Sequence, residues 1–169
     1  MNRKKIDQIQ YEMRSKIGPL YLVASREALH GVFFNKQPVK LVKNLGSSKA
    51  EEKILNKAVI QLKEYFAGQR KKFDLVFDLS GTPFQKQVWK ELFKIPYGKT
   101  VAYKNIAQNI KKPKAVRAVG SANGKNPLCI IIPCHRVIAA DGSIGGYSGG
   151  LNIKRQLLNL EDIKLKIPS

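Results

Sequence analysis

The sequence predicts an α/β protein of the α+β type with two domains. A small α/β domain with antiparallel strands is expected over residues 1–79, and a mainly helical domain over residues 80–169. Short strand-like segments fill the first part, whereas helix-period patterns with capping signals fill the second. A helix, a tight turn and a second helix in the latter part are typical of a DNA-binding helix-turn-helix, although many helical hairpins bind nothing.

The amino-terminal elements follow from hydrophobic periodicity and turn residues. Alternating apolar positions predict strands, which cover residues 11–15, 20–25, 31–35 and 73–79. Apolar residues at helical spacing predict an amphipathic helix over residues 51–66. Residues 41–49 are expected to be a connection.

The helices of the second domain begin and end at recognisable signals. Thr82, Pro83 and Gln85 predict a capped helix start, and the apolar stripe after them runs to about residue 95. Further helices are predicted over residues 103–109, 114–123 and 150–160. In the second helix of the helix-turn-helix, spacing separates two faces. Val116, Val119 and Asn123 share one face, and Arg117, Ala118, Ser121 and Ala122 share the other.

The charge of the chain favours a polyanionic partner. Lysine and arginine number 31 against 12 acidic residues, a formal net charge of +19. Residues 81–126 contain ten basic residues and one acid, Glu91. Phosphate contacts provide most non-specific DNA affinity, but charge alone does not separate DNA from RNA or an anionic membrane. A lone arginine such as Arg117 is also compatible with simple solvation.

A cysteine and a histidine stand side by side at Cys134 and His135, after an apolar run and before a glycine-rich loop. The thiolate is the reactive form of cysteine, and an imidazole or a positive field lowers its pKa. Cys134 is therefore a candidate nucleophile, with a buried structural thiol as the alternative. In the loop over residues 145–150, glycines allow close approach to a planar ligand, and Tyr147 and Ser148 offer hydroxyls to orient it; a flexible connection is the alternative.

Five motifs in this order resemble the O6-alkylguanine-DNA alkyltransferases, the suicide DNA-repair proteins. They are GTPFQ at 81–85, RAVG at 117–120, NP at 126–127, IPCHRV at 132–137 and GYSGGL at 146–151. The resemblance covers about residues 81–161 and is specific there, whereas residues 1–79 match only as a plausible amino-terminal domain. It implies a winged-helix-like carboxy-terminal domain.

The resemblance implies that Cys134 takes the alkyl group from O6 of a damaged guanine and keeps it as a thioether. His135 acts through a water as the base, and Glu161 orients and charges the imidazole. Asn126 braces the turn before the cysteine segment, and Tyr103 donates a hydrogen bond to the guanine ring. Val137, Tyr147 and Ser148 complete the substrate pocket, with Ser148 on the O6 side.

The same resemblance implies base flipping in double-stranded DNA. Arg117 enters the duplex as the target nucleotide rotates out, and Ala118, Ser121 and Tyr103 contact the DNA through the minor groove. Extrusion is needed because the alkylated oxygen lies within the base stack. Cooperative binding and repair of O4-alkylthymine stay open.

The chain departs from the family at Cys129, where close relatives often have proline. We interpret Cys129 as a small buried residue on a strand, five residues from Cys134, which disfavours a disulfide. Two cysteines and two histidines are too few for the structural zinc site of some relatives, so no metal or cofactor is expected. We expect a monomer in the cytoplasm, associated with the nucleoid of a prokaryote, because a reactive thiol suits a reducing interior and no segment is typical of a signal peptide or a membrane span.

Three other functions remain as alternatives. A non-catalytic alkyltransferase-like lesion binder normally lacks the acceptor cysteine. A helix-turn-helix transcription factor leaves the motifs around Cys134 and Tyr147 unexplained. A Cys-His hydrolase is weaker still, because the sequence shows no independent oxyanion or substrate-pocket pattern.

Overall fold

The computed structural model describes residues 7–165, which divide into two compact units between Leu79 and Ser80. The first unit is a four-stranded sheet with one helix. Its strands are β1 (Ile9–Ser15), β2 (Gly18–Ala24), β3 (Leu29–Phe33) and β4 (Lys40–Val42), in the order β3-β2-β1-β4. The helix α1 (Ala50–Phe66) packs on β1 and β2 and buries an apolar stripe that includes Leu55, Ala58 and Leu62.

The strand β4 corrects the prediction of a plain connection over residues 41–49. Its residues pair in parallel with β1, whereas β1–β2 and β2–β3 are antiparallel. The fully buried side chain of Gln10 holds the chain just before β4: its Nε2 donates to the carbonyls of Gln37 and Val39, both at 2.6 Å. A long-range amide contact of this kind leaves no periodic trace in the sequence.

The prediction of a strand over residues 73–79 is wrong, because this segment has too little strand pairing. Only Phe77 forms a bridge with Leu29, through backbone hydrogen bonds at Val76 and Asp78. Val76 is 68% exposed, so the apolar residues of this segment do not form a buried strand face. A strand is stabilised by the side chains that it buries on one face of a sheet and by their cross-strand neighbours. A single bridge provides little of either.

Over its described residues, 80–165, the second unit contains four α-helices and a two-stranded ribbon. They are α2 (Pro83–Leu92), β5 (Val101–Ala102), α3 (Tyr103–Asn109), α4 (Val116–Gly124), β6 (Val137–Ile138) and α5 (Leu151–Leu160). The capping box between Thr82 and Gln85 is present as predicted. However, α2 ends at Leu92 and not near residue 95, because the chain tightens into i→i−3 hydrogen bonds before Pro96.

The packing of α2, α3 and α4 sets which face of α4 is exposed. The buried Trp89 of α2 donates through Nε1 to the carbonyl of Ala122 at 2.8 Å. Ala122 is therefore buried, and Val116 is 36% exposed, so the sequence assigned both residues to the wrong face. Arg117, Ala118 and Ser121 are exposed as expected. Among the described residues, no helix is long and apolar enough to cross a membrane.

Candidate active site and nucleic-acid interface

The ribbon of β5 and β6 brings together two segments that are distant in sequence. Val101 pairs in parallel with Val137, and Ala102 with Ile138. Tyr103 follows β5 directly, and a single 3-10 turn, Cys134–Arg136, precedes β6 directly. The segments that carry the predicted guanine-ring donor and the predicted nucleophile thus adjoin the two strands of one ribbon.

The segment before Cys134 is a compact loop, which corrects the prediction of a strand through Cys129. Ile130 has a φ of 74°, in the left-handed region, and the N–H of Ile132 donates to the carbonyl of Leu128 at 2.8 Å. Asn126 braces this loop: its Nδ2 donates to the carbonyl of Ile132 at 2.7 Å, and its Oδ1 accepts from the N–H of Leu128 at 3.0 Å. A β-branched residue at positive φ is costly, and the loop around it must hold it in place.

Cys134 is 1% exposed, and its environment favours the thiolate. The neighbouring Cys129 thiol lowers the pKa of the Cys134 thiol, with further lowering from the Asn126 amide, the Tyr147 hydroxyl and the charge of Lys154. Burial raises that pKa and is outweighed. A thiolate is the nucleophilic form of cysteine, so a lower pKa increases the nucleophilic fraction of this thiol.

His135 and Glu161 form a fully buried pair, with Nε2 of His135 2.7 Å from Oε1 of Glu161. Burial raises the pKa of Glu161, but hydrogen bonds from His135 and Arg136 offset this and hold the pKa at about 2. An ionised carboxylate can only accept hydrogen bonds. Nε2 of His135 therefore carries the ring proton and donates the hydrogen bond to Glu161. Nδ1 of His135 is buried and has no hydrogen-bond partner among residues 7–165.

The expectation that Glu161 charges the imidazole is not supported. Burial lowers the pKa of His135, and the charges of Arg136 and Lys154 lower it further, against the opposing effect of Glu161. The ring is therefore neutral near pH 7, with the Nδ1 lone pair available as a base. Glu161 instead fixes the tautomer and the orientation of the ring.

Arg136 is a site residue that sequence analysis missed. Its Nε and Nη2 donate to both oxygens of Glu161, at 2.8 and 3.0 Å, and its Nη1 donates to the carbonyl of Ile95 at 2.7 Å. The backbone N–H of Gly98 gives Glu161 one more hydrogen bond, at 3.1 Å. Arg136 stands inside the IPCHRV motif, which is the one sequence feature that could have identified it.

Lys154 of α5 is the second missed residue. It is fully buried, and its Nζ donates to the carbonyl of Val137 at 2.6 Å and to that of Gly146 at 2.9 Å. Burial lowers its pKa to about 8, and the nearby Cys134 opposes this lowering. The ammonium joins the end of the cysteine segment to the glycine-rich loop. In the sequence it is one lysine among many, so only its place on the apolar side of α5 could have marked it.

The glycine-rich loop closes over Tyr103. The Tyr103 hydroxyl donates to the carbonyl of Gly146 at 3.5 Å. Gly145 has a φ of 70°, and a Cβ there would lie 3.0 Å from the Tyr103 hydroxyl, so glycine is needed for close approach to this phenol. Ser148 is exposed, with its Oγ 4.0 Å from the Cys129 sulfur, and Val137 is fully buried.

The exposed face of α4 is small and carries a single arginine. Arg117, Ala118 and Ser121 all face solvent, and α3 packs against the other side of the helix. Among residues 7–165, no cluster of three or more His, Cys, Asp or Glu side chains is arranged to hold a metal ion.

Both units match models of a known protein family. The family model for the 6-O-methylguanine DNA methyltransferase DNA-binding domain matches residues 83–163, and the model for the ribonuclease-like domain of the same family matches residues 11–79. A methylated-DNA–protein-cysteine methyltransferase of Methanosarcina barkeri is 46% identical over 154 residues, which are 91% of this chain and 97% of the relative. The chain belongs to the 6-O-methylguanine DNA methyltransferase family.

Other members of the 6-O-methylguanine DNA methyltransferase family are also similar. The relative of the same name from Methanosarcina acetivorans is 49% identical over 148 residues, covering 87% of this chain and 94% of the relative. A crystal structure of Mycobacterium tuberculosis OGT in complex with DNA matches with a TM-score of 0.81 and 43% identity, covering 90% of this chain and 92% of that chain. The predicted family and the α/β fold class are thus confirmed.

Proposed function

We propose that this protein repairs DNA by direct reversal, transferring the alkyl group of O6-alkylguanine to Cys134 in a single irreversible turnover. The observation that carries the proposal is the buried Cys134, set beside a neutral His135 whose Nε2 is held by Glu161. The names of its relatives support the same activity, since they are methylated-DNA–protein-cysteine methyltransferases.

The chemistry needs a thiolate and a leaving group. The Cys134 proton passes through a water to Nδ1 of His135 and from there to solvent, because that nitrogen is the free base of the pair. The sulfur then attacks the alkyl carbon: a C–S bond forms, the C–O bond breaks, and its electron pair stays on guanine O6. The guanine takes up one proton from solvent, which balances the proton that Cys134 released to solvent.

Several groups around the cysteine segment suit the leaving guanine. Tyr103 donates a hydrogen bond to the ring after releasing its long 3.5 Å contact with Gly146, which stabilises the charge that develops there. Ser148 faces O6 from the exposed loop, and Tyr147 and Val137 bound the pocket. Asn126 holds the loop before Cys134 in its conformation through its two hydrogen bonds.

The proposed partner is double-stranded DNA, and the protein binds it as a monomer. The face of α4 with Ala118 and Ser121 is small enough to enter a groove, and Arg117 fills the space that the flipped nucleotide leaves. The formal net charge of +19 supplies phosphate attraction. The neighbour from Mycobacterium tuberculosis was crystallised with DNA, which supports this partner. We place the activity in the cytoplasm, at the nucleoid, where two free thiols remain reduced.

A stoichiometry experiment tests the repair activity against simple lesion binding. Increasing amounts of protein are mixed with duplex DNA that carries O6-methylguanine, and the repaired guanine is counted. We expect one lesion repaired per protein molecule and no turnover beyond that. Cys134→Ala should bind the lesion duplex with unchanged affinity and repair none of it. Repair by this variant, or lesion binding by the wild type with no repair, would overturn the proposal; the second result would favour the non-catalytic lesion binder.

A further inference from the structure

The glycine-rich loop over residues 145–150 depends on contacts outside itself for its position. Its backbone turns at two glycines in the left-handed region, Gly145 with a φ of 70° and Gly150 with a φ of 92°. The loop belongs to no helix or strand. Two side chains from other segments donate to one of its carbonyls, that of Gly146. These donors are the Tyr103 hydroxyl and the Lys154 ammonium.

The two donors to the Gly146 carbonyl differ in strength. Nζ of Lys154 lies 2.9 Å from the oxygen, whereas the Tyr103 hydroxyl lies 3.5 Å away, which is long for an O–H donor. A charged donor also makes a hydrogen bond roughly twice as strong as a neutral one. In the proposed mechanism, Tyr103 turns from this carbonyl to the guanine ring. Lys154 is then the donor that remains on Gly146.

Lys154 ties the loop to the cysteine segment because its ammonium has a second acceptor there. Nζ donates to the carbonyl of Val137 at 2.6 Å, and Val137 directly follows the 3-10 turn that contains Cys134. The side chain is fully buried, and burial lowers its pKa to about 8. A buried ammonium costs stability unless hydrogen bonds replace its hydration, and these two carbonyls provide them.

We propose that Lys154 is a positioning residue that anchors the glycine-rich loop to the cysteine segment while Tyr103 turns from Gly146 to the guanine. The two hydrogen bonds of Lys154 stand on the structure, and their effect on alkyl transfer rests on the proposed function. Tyr147 and Ser148 follow Gly146 directly, so the anchor also holds the groups that are expected to bound the guanine.

Hydrogen exchange of the loop amides tests the anchor itself. All variants are made in Cys134→Ala, which is expected to bind a lesion duplex without consuming it, and exchange of the peptide over residues 145–150 is followed by mass spectrometry. With the duplex bound, we expect Lys154→Met to exchange about tenfold faster than its parent, the scale of one lost hydrogen bond from a charged donor. In the free protein, Tyr103→Phe should loosen the loop less than Lys154→Met does, because it removes the longer of the two hydrogen bonds to Gly146.

Arg155→Met is the matched control, because Arg155 is the exposed neighbour of Lys154 on α5. It removes a positive charge from the same helical turn, and its loop should exchange like that of the parent. Exchange of α2 peptides should stay unchanged in Lys154→Met, because loss of a local anchor does not loosen the whole unit. Lys154→Leu replaces the methionine variant if thermal unfolding shows that the latter is not folded.

Methyl transfer with Cys134 restored gives the functional half of the test. The single-turnover rate at saturating lesion duplex should fall about tenfold in Lys154→Met, with wild-type affinity for undamaged duplex, whereas Arg155→Met should transfer at the wild-type rate. The rates are compared on the alkaline plateau, where Cys134 is ionised in every variant. A neutral Lys154 amine still has two N–H groups for its two carbonyls there, so a change in thiolate population does not contribute.

Loop exchange in Lys154→Met that matches its parent would overturn the proposal. Faster exchange that extends equally to α2, or a transfer rate equal to that of the wild type, would overturn it as well. Failure of the repair activity gives a different pattern. If the loop exchanges faster as expected but the wild type transfers no methyl, the anchor is supported and the proposed function is contradicted.

Discussion

Nε2 of His135 lies 2.7 Å from Oε1 of Glu161, and neither side chain is reached by solvent. These residues are 26 positions apart, one in the 3-10 turn after Pro133 and the other at the C-cap of α5. An acid at a helix carboxyl end opposes the helix dipole. Arg136 offsets that cost with two hydrogen bonds to the same carboxylate. The ion pair with Arg136 thus holds the Glu161 carboxylate in place, and the carboxylate in turn orients the His135 ring.

Glu161 should make the protein sensitive to acid. Its pKa is about 2 in the folded protein against 4.5 ordinarily, so its contribution is complete above pH 4.5 and is lost as pH falls toward 2. The shift corresponds to about 3 kcal/mol at most. Urea unfolding between pH 7 and pH 3 should show a smaller loss of stability on acidification for Glu161→Gln than for the wild type. The exposed Glu27→Gln is the matched control, and an equal acid slope in Glu161→Gln and the wild type would contradict this role.

Lys154 should make stability depend on pH in the alkaline range, where its lowered pKa costs stability instead of adding to it. Its pKa is about 8 in the folded protein and 10.5 ordinarily, so the folded state binds fewer protons between these values. The free energy of unfolding should therefore rise with pH over this window, by up to about 3 kcal/mol from this group. Below pH 8 the full cost of the buried charge remains. Denaturant unfolding from pH 7.5 to 10 should show this rise in the wild type and in the exposed-site control Lys90→Met, and lose it in Lys154→Met.

Arg117 should matter for duplex DNA and much less for single strands. Its side chain faces solvent on α4, where it can enter the stack as the target base leaves. Because extrusion from a duplex costs a few kcal/mol, we expect Arg117→Ala to slow methyl transfer from duplex DNA roughly 10- to 100-fold. Transfer from a single-stranded oligonucleotide should change little. Lys53→Ala removes the same charge from α1 and serves as the control; equal slowing on both substrates would indicate a simple loss of charge attraction.

Alkylation should destabilise the protein. Cys134 is 1% exposed and packs among Cys129, Asn126 and Tyr147, so a methyl group on its sulfur has to displace neighbours. Extra methyl groups in a packed interior typically cost about 1–3 kcal/mol. The alkylated thioether also loses the negative charge that Lys154 faces. Calorimetry after reaction should show a lower Tm than after mixing with unmodified DNA, and an unchanged or higher Tm would be the opposite result.

Local signals explain why much of the helical unit could be predicted. The capping box of Thr82 and Gln85 is contained within four residues, and the apolar stripe of α2 needs only local spacing. Cys134 and His135 could be selected because a nucleophile and a base are chemically uncommon neighbours in a chain with two of each residue. The amino-terminal helix followed in the same way from its apolar stripe.

Long-range contacts explain what the sequence did not reveal. The left-handed Ile130 turns the chain between Cys129 and Cys134, and no residue type in that loop indicates a positive φ. The buried charges of Arg136 and Lys154 depend on partners up to 41 residues away, such as the carbonyl of Ile95. In a chain with 31 basic residues, a buried cation has the same local pattern as a solvated one.

The central claim is that Cys134 itself accepts the alkyl group. Peptide mass spectrometry after mixing the protein with an oligonucleotide carrying one O6-methylguanine tests it directly. We expect the peptide with Cys134 to gain one methyl group in proportion to the lesion consumed, with the thiol of Cys129 unmodified. Lesion loss with an unmodified Cys134 peptide, or a methyl group found on Cys129 instead, would contradict the account.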